Sequence, residues 1–161
     1  MAPRAVPAAC LAFAIAGCGF HLAGSYRLPA VLAKPYLSLG DPYSDFAHEF
    51  EQQLKSAGAA VQTDDHAASA IIEITRDMAQ QRVLSVSATN IPTEYELVYT
   101  VTFSVRQADK LLIAPQTLSL TRDYSFEEQI VLAKQHEADV LRAQMARDLA
   151  GIAMRRLTSL K

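Results

Sequence analysis

The segment Glu94–Val105 constrains this chain more than any other. Tyr95, Leu97, Tyr99, Val101, Phe103 and Val105 share one side of an extended backbone, and all six are apolar. Glu94, Glu96, Val98, Thr100, Thr102 and Ser104 share the other, where only Val98 is apolar. Unbroken period two over residues 94–105 predicts a β-strand about 40 Å long, with one face buried and one face wet. A sheet buried on one side only is the signature of antiparallel pairing.

The rest of the chain supplies what that face needs. Tyr36-Leu37-Ser38-Leu39 predicts a short strand stopped by Gly40-Asp41-Pro42. Ser44 is placed to cap a helix with Phe46, Phe50, Leu54 and Ala57 on one stripe. Gly58 stands where a left-handed C-terminal residue belongs. Asp45, Glu49 and Glu51 load its early turns with negative charge, which suits the helix dipole. After a polar loop, Thr63 to Ser69, Ala70–Thr75 predicts a second strand. Arg82–Val86 either continues it after a bend or forms a loop edge, and Ser85–Asn90 predicts a hairpin tip.

Gln107–Lys110 is a polar turn into a strand from Leu111 to Tyr124, with Leu118, Leu120 and Tyr124 inward. Pro115 has no N–H to give a ladder, so it marks an edge or a bulge. A final helix starts between Ile130 and Gln135 and runs to about Leu157. Its stripe is Leu141, Met145, Leu149 and Ile152, and Gly151 allows a close approach to the sheet. The order β-α-β-β-β-α predicts an α+β two-layer sandwich, with two helices on one face of a mostly antiparallel four-stranded sheet.

The N-terminus has a separate logic. After Arg4, the apolar run Ala8–Ala16 is too short to span a bilayer, and it ends in Ile15-Ala16-Gly17-Cys18. Small residues directly before a cysteine form a lipobox. Residues 1–17 are therefore expected as a lipoprotein signal peptide, 18–34 as a lipidated tether and 35–161 as one domain. Cys18 would carry a diacylglycerol and an N-acyl chain, enough acyl groups for stable anchoring, and no other cofactor is expected. Gly19, in place of the aspartate that retains lipoproteins in the inner membrane, favours the periplasmic side of the outer membrane. Cys10 leaves with the signal, so no internal disulfide is possible. A net charge of −2 with 20% charged residues argues against nucleic-acid binding, which needs a basic face.

Signs of catalysis are missing from the sequence. There is no Gly-x-Ser-x-Gly elbow, no phosphate-cradling glycine loop and no free thiol in the mature domain. His21, His48, His66 and His136 do not pair with one another at metal-ligand spacing, so no metal site is expected. Asp64-Asp65 and Glu127-Glu128 stand in turns, where solvation and helix-start charge account for them. The expectation is a protein that is not an enzyme.

Cys18-Gly19-Phe20-His21-Leu22 resembles the lipidated start of the LPS-assembly lipoprotein family, LptE (RlpB). Gly40-Asp41-Pro42, Glu94-Tyr95 and Leu132-Ala133-Lys134 stand in the order that the family shows, so the resemblance covers nearly the whole mature chain. It implies a plug inside the LptD β-barrel that helps the barrel assemble, binds lipopolysaccharide and serves its transport to the outer leaflet. Lys134 matches a basic family position and is the first candidate for lipid A phosphates. Some relatives carry a basic residue at the hairpin tip. Here Ser85–Asn90 has none, and Arg82 is nearest, with Arg122 a further candidate that a cross-strand partner such as Glu94 or Glu96 could equally occupy. Ser85, Ser87, Thr89, Asn90, Thr100 and Thr102 are the candidate barrel contacts. An accessory lipoprotein of a different envelope lipid (phospholipid) transport system would share the anchor and the sandwich. A tethered periplasmic hydrolase would instead need a cleft of clustered carboxylates or histidines.

Overall fold

The period-two segment becomes the middle of a long three-stranded meander. The computed structural model describes residues 26–125 and 131–160, with side chains in the last stretch from His136 onward. The signal segment, Cys18 with its motif, Glu127, Glu128 and the side chain of Lys134 lie outside the described residues. The elements are β1 (Pro35–Leu39), α1 (Asp45–Ser56), β2 (Ala70–Val86), β3 (Pro92–Gln107), β4 (Lys110–Ser125) and α2 (Val131–Thr158). The sheet order is β1-β2-β3-β4, with β1 parallel to β2 and the other pairs antiparallel. This is the expected α+β sandwich.

The inner face of β3 behaves as its pattern requires. Leu97, Tyr99, Val101, Phe103 and Val105 join Phe46, Phe50 and Leu54 of α1 and Met145, Leu149, Met154 and Leu157 of α2 in one buried cluster. Ala146, Ala150 and Ala153 of α2 are fully buried, and such small side chains let backbones approach closely. The buried stripe of α2 is therefore wider than expected, with Leu141 and Ile152 only partly buried at its margins. The helices run parallel: Asp45 meets Arg142, and Glu49, one turn on, meets Arg147.

β2 is 17 residues long, far beyond the expected Thr75. Ile74 faces Phe103 while Arg76 faces Thr102, so two steps on β2 match one on β3. This bulge at Thr75 reverses which residues point inward. Ala70, Ile72 and Ile74 are buried before it, whereas Asp77 and Ala79 face Val101 and Tyr99 after it. A single-period reading ends the strand where the parity flips. β4 is an edge strand and is bulged as well. Phe103 pairs Gln116 and Val105 pairs Ile113, leaving Pro115 in the extra length. Both readings of that proline hold.

α1 ends as expected. Gly58 has φ +88°, its N–H donates to Lys55 O at 3.0 Å, and the Ala59 N–H donates to Leu54 O at 3.0 Å. These are the two bonds of a Schellman cap. Gly151 accommodates a different neighbour from the one expected. The Tyr26 hydroxyl, not the sheet, lies 3.4 Å from where its Cβ would stand and donates to its carbonyl at 3.4 Å. Residues 26–34, expected as the end of a tether, pack on the domain: Leu32 is fully buried, and Tyr26, Leu28 and Val31 lie against the core.

Candidate functional site

The outer face of the sheet is mostly polar, with Met78 and Val98 interspersed, and several of its side chains bond to one another. The Thr100 and Ser119 hydroxyls are 3.1 Å apart, and those of Thr102 and Thr117 2.9 Å. Directly opposed across β2 and β3, Arg82 and Glu96 form an ion pair. Ser104 lies on the same face and is buried.

The β2–β3 hairpin ends in a tight loop. The Asn90 N–H donates to Ser87 O at 2.9 Å, and the Ser87 N–H to Ile91 O at 2.7 Å. Asn90 has φ 61°, the left-handed state that asparagine tolerates better than most residues. Ser85 bonds Thr93 at 2.8 Å and Glu94 at 2.8 Å, and Ser87 bonds Thr89 at 2.9 Å. Beside this loop Val83, Leu84 and Val86 are each about half exposed. Sequence reasoning did not single these three out. The signal was present in Arg82-Val83-Leu84-Ser85-Val86, an apolar run inside a hairpin arm.

The candidate cations do not converge. Arg82, opposite Glu96, is on the outer face. Arg122 is opposite Leu97, hence on the helix-covered face, and it reaches Asp148 of α2 at 3.6 Å. Neither Glu94 nor Glu96 occupies it, since Glu94 holds Ser85 and Glu96 holds Arg82. Lys134 lies in the first turn of α2, one turn before Glu137, whose charge acts on Tyr124 of β4. The start of α2 therefore adjoins the stacked rings of Tyr95 and Tyr124, on the side of Arg122 and away from Arg82.

A polar node sits inside the sandwich. Ser44 caps α1 by accepting the Ala47 N–H at 3.0 Å and donates its own hydroxyl to Asp77. Tyr99 also bonds Asp77, and its oxygen accepts the Phe46 N–H at 3.2 Å. Burial pushes the Asp77 carboxyl up, against the pull of the Ser44 and Tyr99 hydrogen bonds. Burial first, and then the Asp77 charge, push the Tyr99 phenol up. The members satisfy one another and the helix N-terminus, which is a structural role. Elsewhere Asp64, Asp65 and His66 come close in an exposed 3-10 turn, where Asp64 caps the His66 N–H at 3.0 Å.

Comparison with known proteins decides the family. Residues 34–157 match the family model LptE, described as Lipopolysaccharide-assembly. The chain belongs to the LptE family. It is 30% identical over 148 residues to the LPS-assembly lipoprotein LptE of Yersinia enterocolitica serotype O:8 / biotype 1B, covering 88% of this chain and 69% of the relative. The Yersinia pestis (strain Pestoides F) protein of the same name is 31% identical over the same shares. A lipoprotein B from Nitrosomonas europaea superposes with a TM-score of 0.71 at 27% identity, covering 88% of this chain and 91% of that one. The rare lipoprotein B from Shewanella oneidensis gives 0.68 at 25%, covering 78% and 94%. This LptE-family chain thus falls among envelope lipoproteins with a role in lipopolysaccharide assembly.

Proposed function

We propose that this protein is an outer-membrane lipoprotein that sits as a plug inside the LptD β-barrel, assists the barrel's assembly and binds lipopolysaccharide directly. The observation that carries the proposal is the outer sheet face, where Thr100, Ser119, Thr102 and Thr117 satisfy one another and Arg82 pairs with Glu96. The lumen of a transmembrane barrel is polar, so a plug needs a polar skin over a core that it completes itself. The chain meets the second condition too, because both helices and one sheet face close a single cluster. The barrel contacts would be Thr100 and Thr102 on this face and Ser85, Ser87, Thr89 and Asn90 at the hairpin end.

For the lipid A phosphates, Lys134 and Arg122 are the better pair because both belong to the helix side. The Arg122–Asp148 contact is long and half exposed on both partners, and such pairs contribute little, so a phosphate can displace the aspartate. Arg82 would act separately, from the outer face. The test is co-purification from native membranes: a stable one-to-one complex with the barrel is expected, and its absence sinks the plug reading.

A further inference from the structure

Cations in this fold divide into two groups. Among the described residues, Lys55, Arg82, Arg122, Arg142 and Arg147 each reach a carboxylate. Arg27, Lys34, Arg76, Arg106, Lys110, Arg155 and Arg156 are exposed and reach none within the described residues.

All of the second group except Arg76 stand at one end of the sandwich. That end is where β1 and β2 begin, β3 finishes, and both helices terminate. Lys34 directly precedes β1, and its backbone bonds Ser69, just before β2. Arg106 is registered opposite Leu111 and Ile71, and Lys110 opposite Gln107. Arg27 lies against Ala57 beyond α1, and Arg155 lines a groove with Ser56 and Tyr26. The carboxylates on the neighbouring turns are Asp64 and Asp65 after α1 and Asp109 between Arg106 and Lys110. Asp64 is engaged as a cap and Asp65 by His66. The helix dipole accounts for Arg155 and Arg156 in the last turn of α2. It also suits Arg27, which lies against Ala57, the residue that caps the end of α1, but it does not account for Lys34, Arg106 or Lys110, which belong to no helix end.

We propose that this end rests on the anionic phospholipid headgroups of the leaflet that holds the anchor. The chain geometry keeps this end within reach of the leaflet. Tyr26 is pinned to Gly151, and residues 19–26 can extend at most about 28 Å from a lipidated Cys18. The cations are spread over three separate segments around the end instead of converging in a pocket. That arrangement fits a plane of phosphates rather than one bound anion. Basic residues held close to an anionic surface each add severalfold to its attraction, within a Debye length. The inference rests on lipid attachment at Cys18 and is independent of the barrel.

The experiment uses the mature lipidated protein in vesicles, with a photocrosslinking residue at exposed Ala30 or Ser159, or at Leu84 on the far hairpin. In phosphatidylcholine vesicles containing phosphatidylglycerol, lipid capture from 30 and 159 is expected to exceed that from 84 by about fivefold. The excess should collapse in pure phosphatidylcholine and in high salt. The combination Arg27→Glu, Arg155→Glu and Arg156→Glu should abolish the excess with an unchanged circular dichroism spectrum. If that variant fails to fold, the headgroup and salt comparisons on the unaltered cations decide. Equal capture from both ends, or capture indifferent to headgroup charge, overturns the proposal. So does displacement of phosphatidylglycerol from 30 and 159 by added lipopolysaccharide, which would reassign the end to lipid A. None of these outcomes depends on whether the barrel complex forms.

Discussion

Asp77 on β2 accepts the hydroxyl of Ser44, the residue that caps α1. The contact joins the inner face of the sheet to a helix N-terminus across 33 positions of sequence. It exists because the bulge at Thr75 turns Asp77 inward. Tyr99 completes it from β3 and bonds the Phe46 N–H at 3.2 Å, so one carboxylate organises the helix start, the second strand and the third.

Removing that carboxylate leaves the buried Tyr99 hydroxyl and the half-buried Ser44 hydroxyl without their acceptor. Asp77→Ala is expected to lower stability by about 1–3 kcal/mol, and Tyr99→Phe by about 1 kcal/mol. Urea denaturation of each variant checks the values. Losses below a few tenths of a kcal/mol for both would show the node to be dispensable.

The raised Asp77 carboxyl also predicts a pH dependence. The native state holds its proton at a higher pH than the unfolded chain does, so this group's contribution to stability falls as pH rises between the ordinary carboxylate value, about 3.9, and the raised native one. Asp77→Asn keeps an acceptor oxygen and removes the titration. Its stability relative to the unaltered protein should therefore improve as pH rises through that window and then stay level. A difference that is flat from pH 3 to 7, or one that moves the opposite way, contradicts the burial argument.

Gly58 closes α1 at φ +88° with open space where a Cβ would go. Gly58→Ala therefore meets no neighbour, and its cost is backbone strain alone, about 1 kcal/mol. A drop of several degrees in the melting temperature is expected, with the spectrum of the folded state unchanged. Gly40, which has neither a positive φ nor a near neighbour, should tolerate alanine.

Charge reversal separates the candidate lipid contacts. Lys134→Glu and Arg122→Glu should each weaken lipopolysaccharide binding by about tenfold, the scale of one charge-assisted hydrogen bond. Barrel co-purification should be unaffected. Arg82→Glu, on the other face and opposite Glu96, places like charges across the strands and should cost stability in addition to any effect on binding. Unchanged binding for Lys134→Glu would leave that residue an ordinary solvated lysine.

Crosslinkers placed at Ser87, Thr89, Thr100 and Thr102 should capture the barrel partner in cells, whereas one at buried Phe50 should not. Capture confined to the helix face would place the barrel contact on the wrong side of the sandwich.

Much of this architecture was legible without coordinates because it depends on local repetition. The alternation of Glu94–Val105, the Ser44 cap and the Gly58 stop each act within a few residues, and each has the expected geometry. The family, too, was readable from short motifs at Cys18–Leu22, Gly40–Pro42, Glu94-Tyr95 and Leu132–Lys134. What failed was anything that changes phase or crosses between segments. The far half of β2 was obscured because the Thr75 bulge moves the inward positions from even to odd numbers, placing Asp77 and Gln81 where apolar residues were sought. The separation of Arg82 from Arg122 was hidden as well, since strand spacing says nothing of which face a residue takes after a bulge.

The sequence by itself determined the elements and their order, because capping and side-chain period are both read over short distances. Tertiary structure alone decided which charges meet. Asp45 with Arg142, Glu49 with Arg147 and Arg122 with Asp148 are distant in the chain, and they pair because two parallel helices lie across one sheet face. The same packing leaves Arg27, Lys34, Arg106, Lys110, Arg155 and Arg156 together at the end where residues 26–34 lead into β1, a grouping set by the packing of separate segments and not by any local pattern.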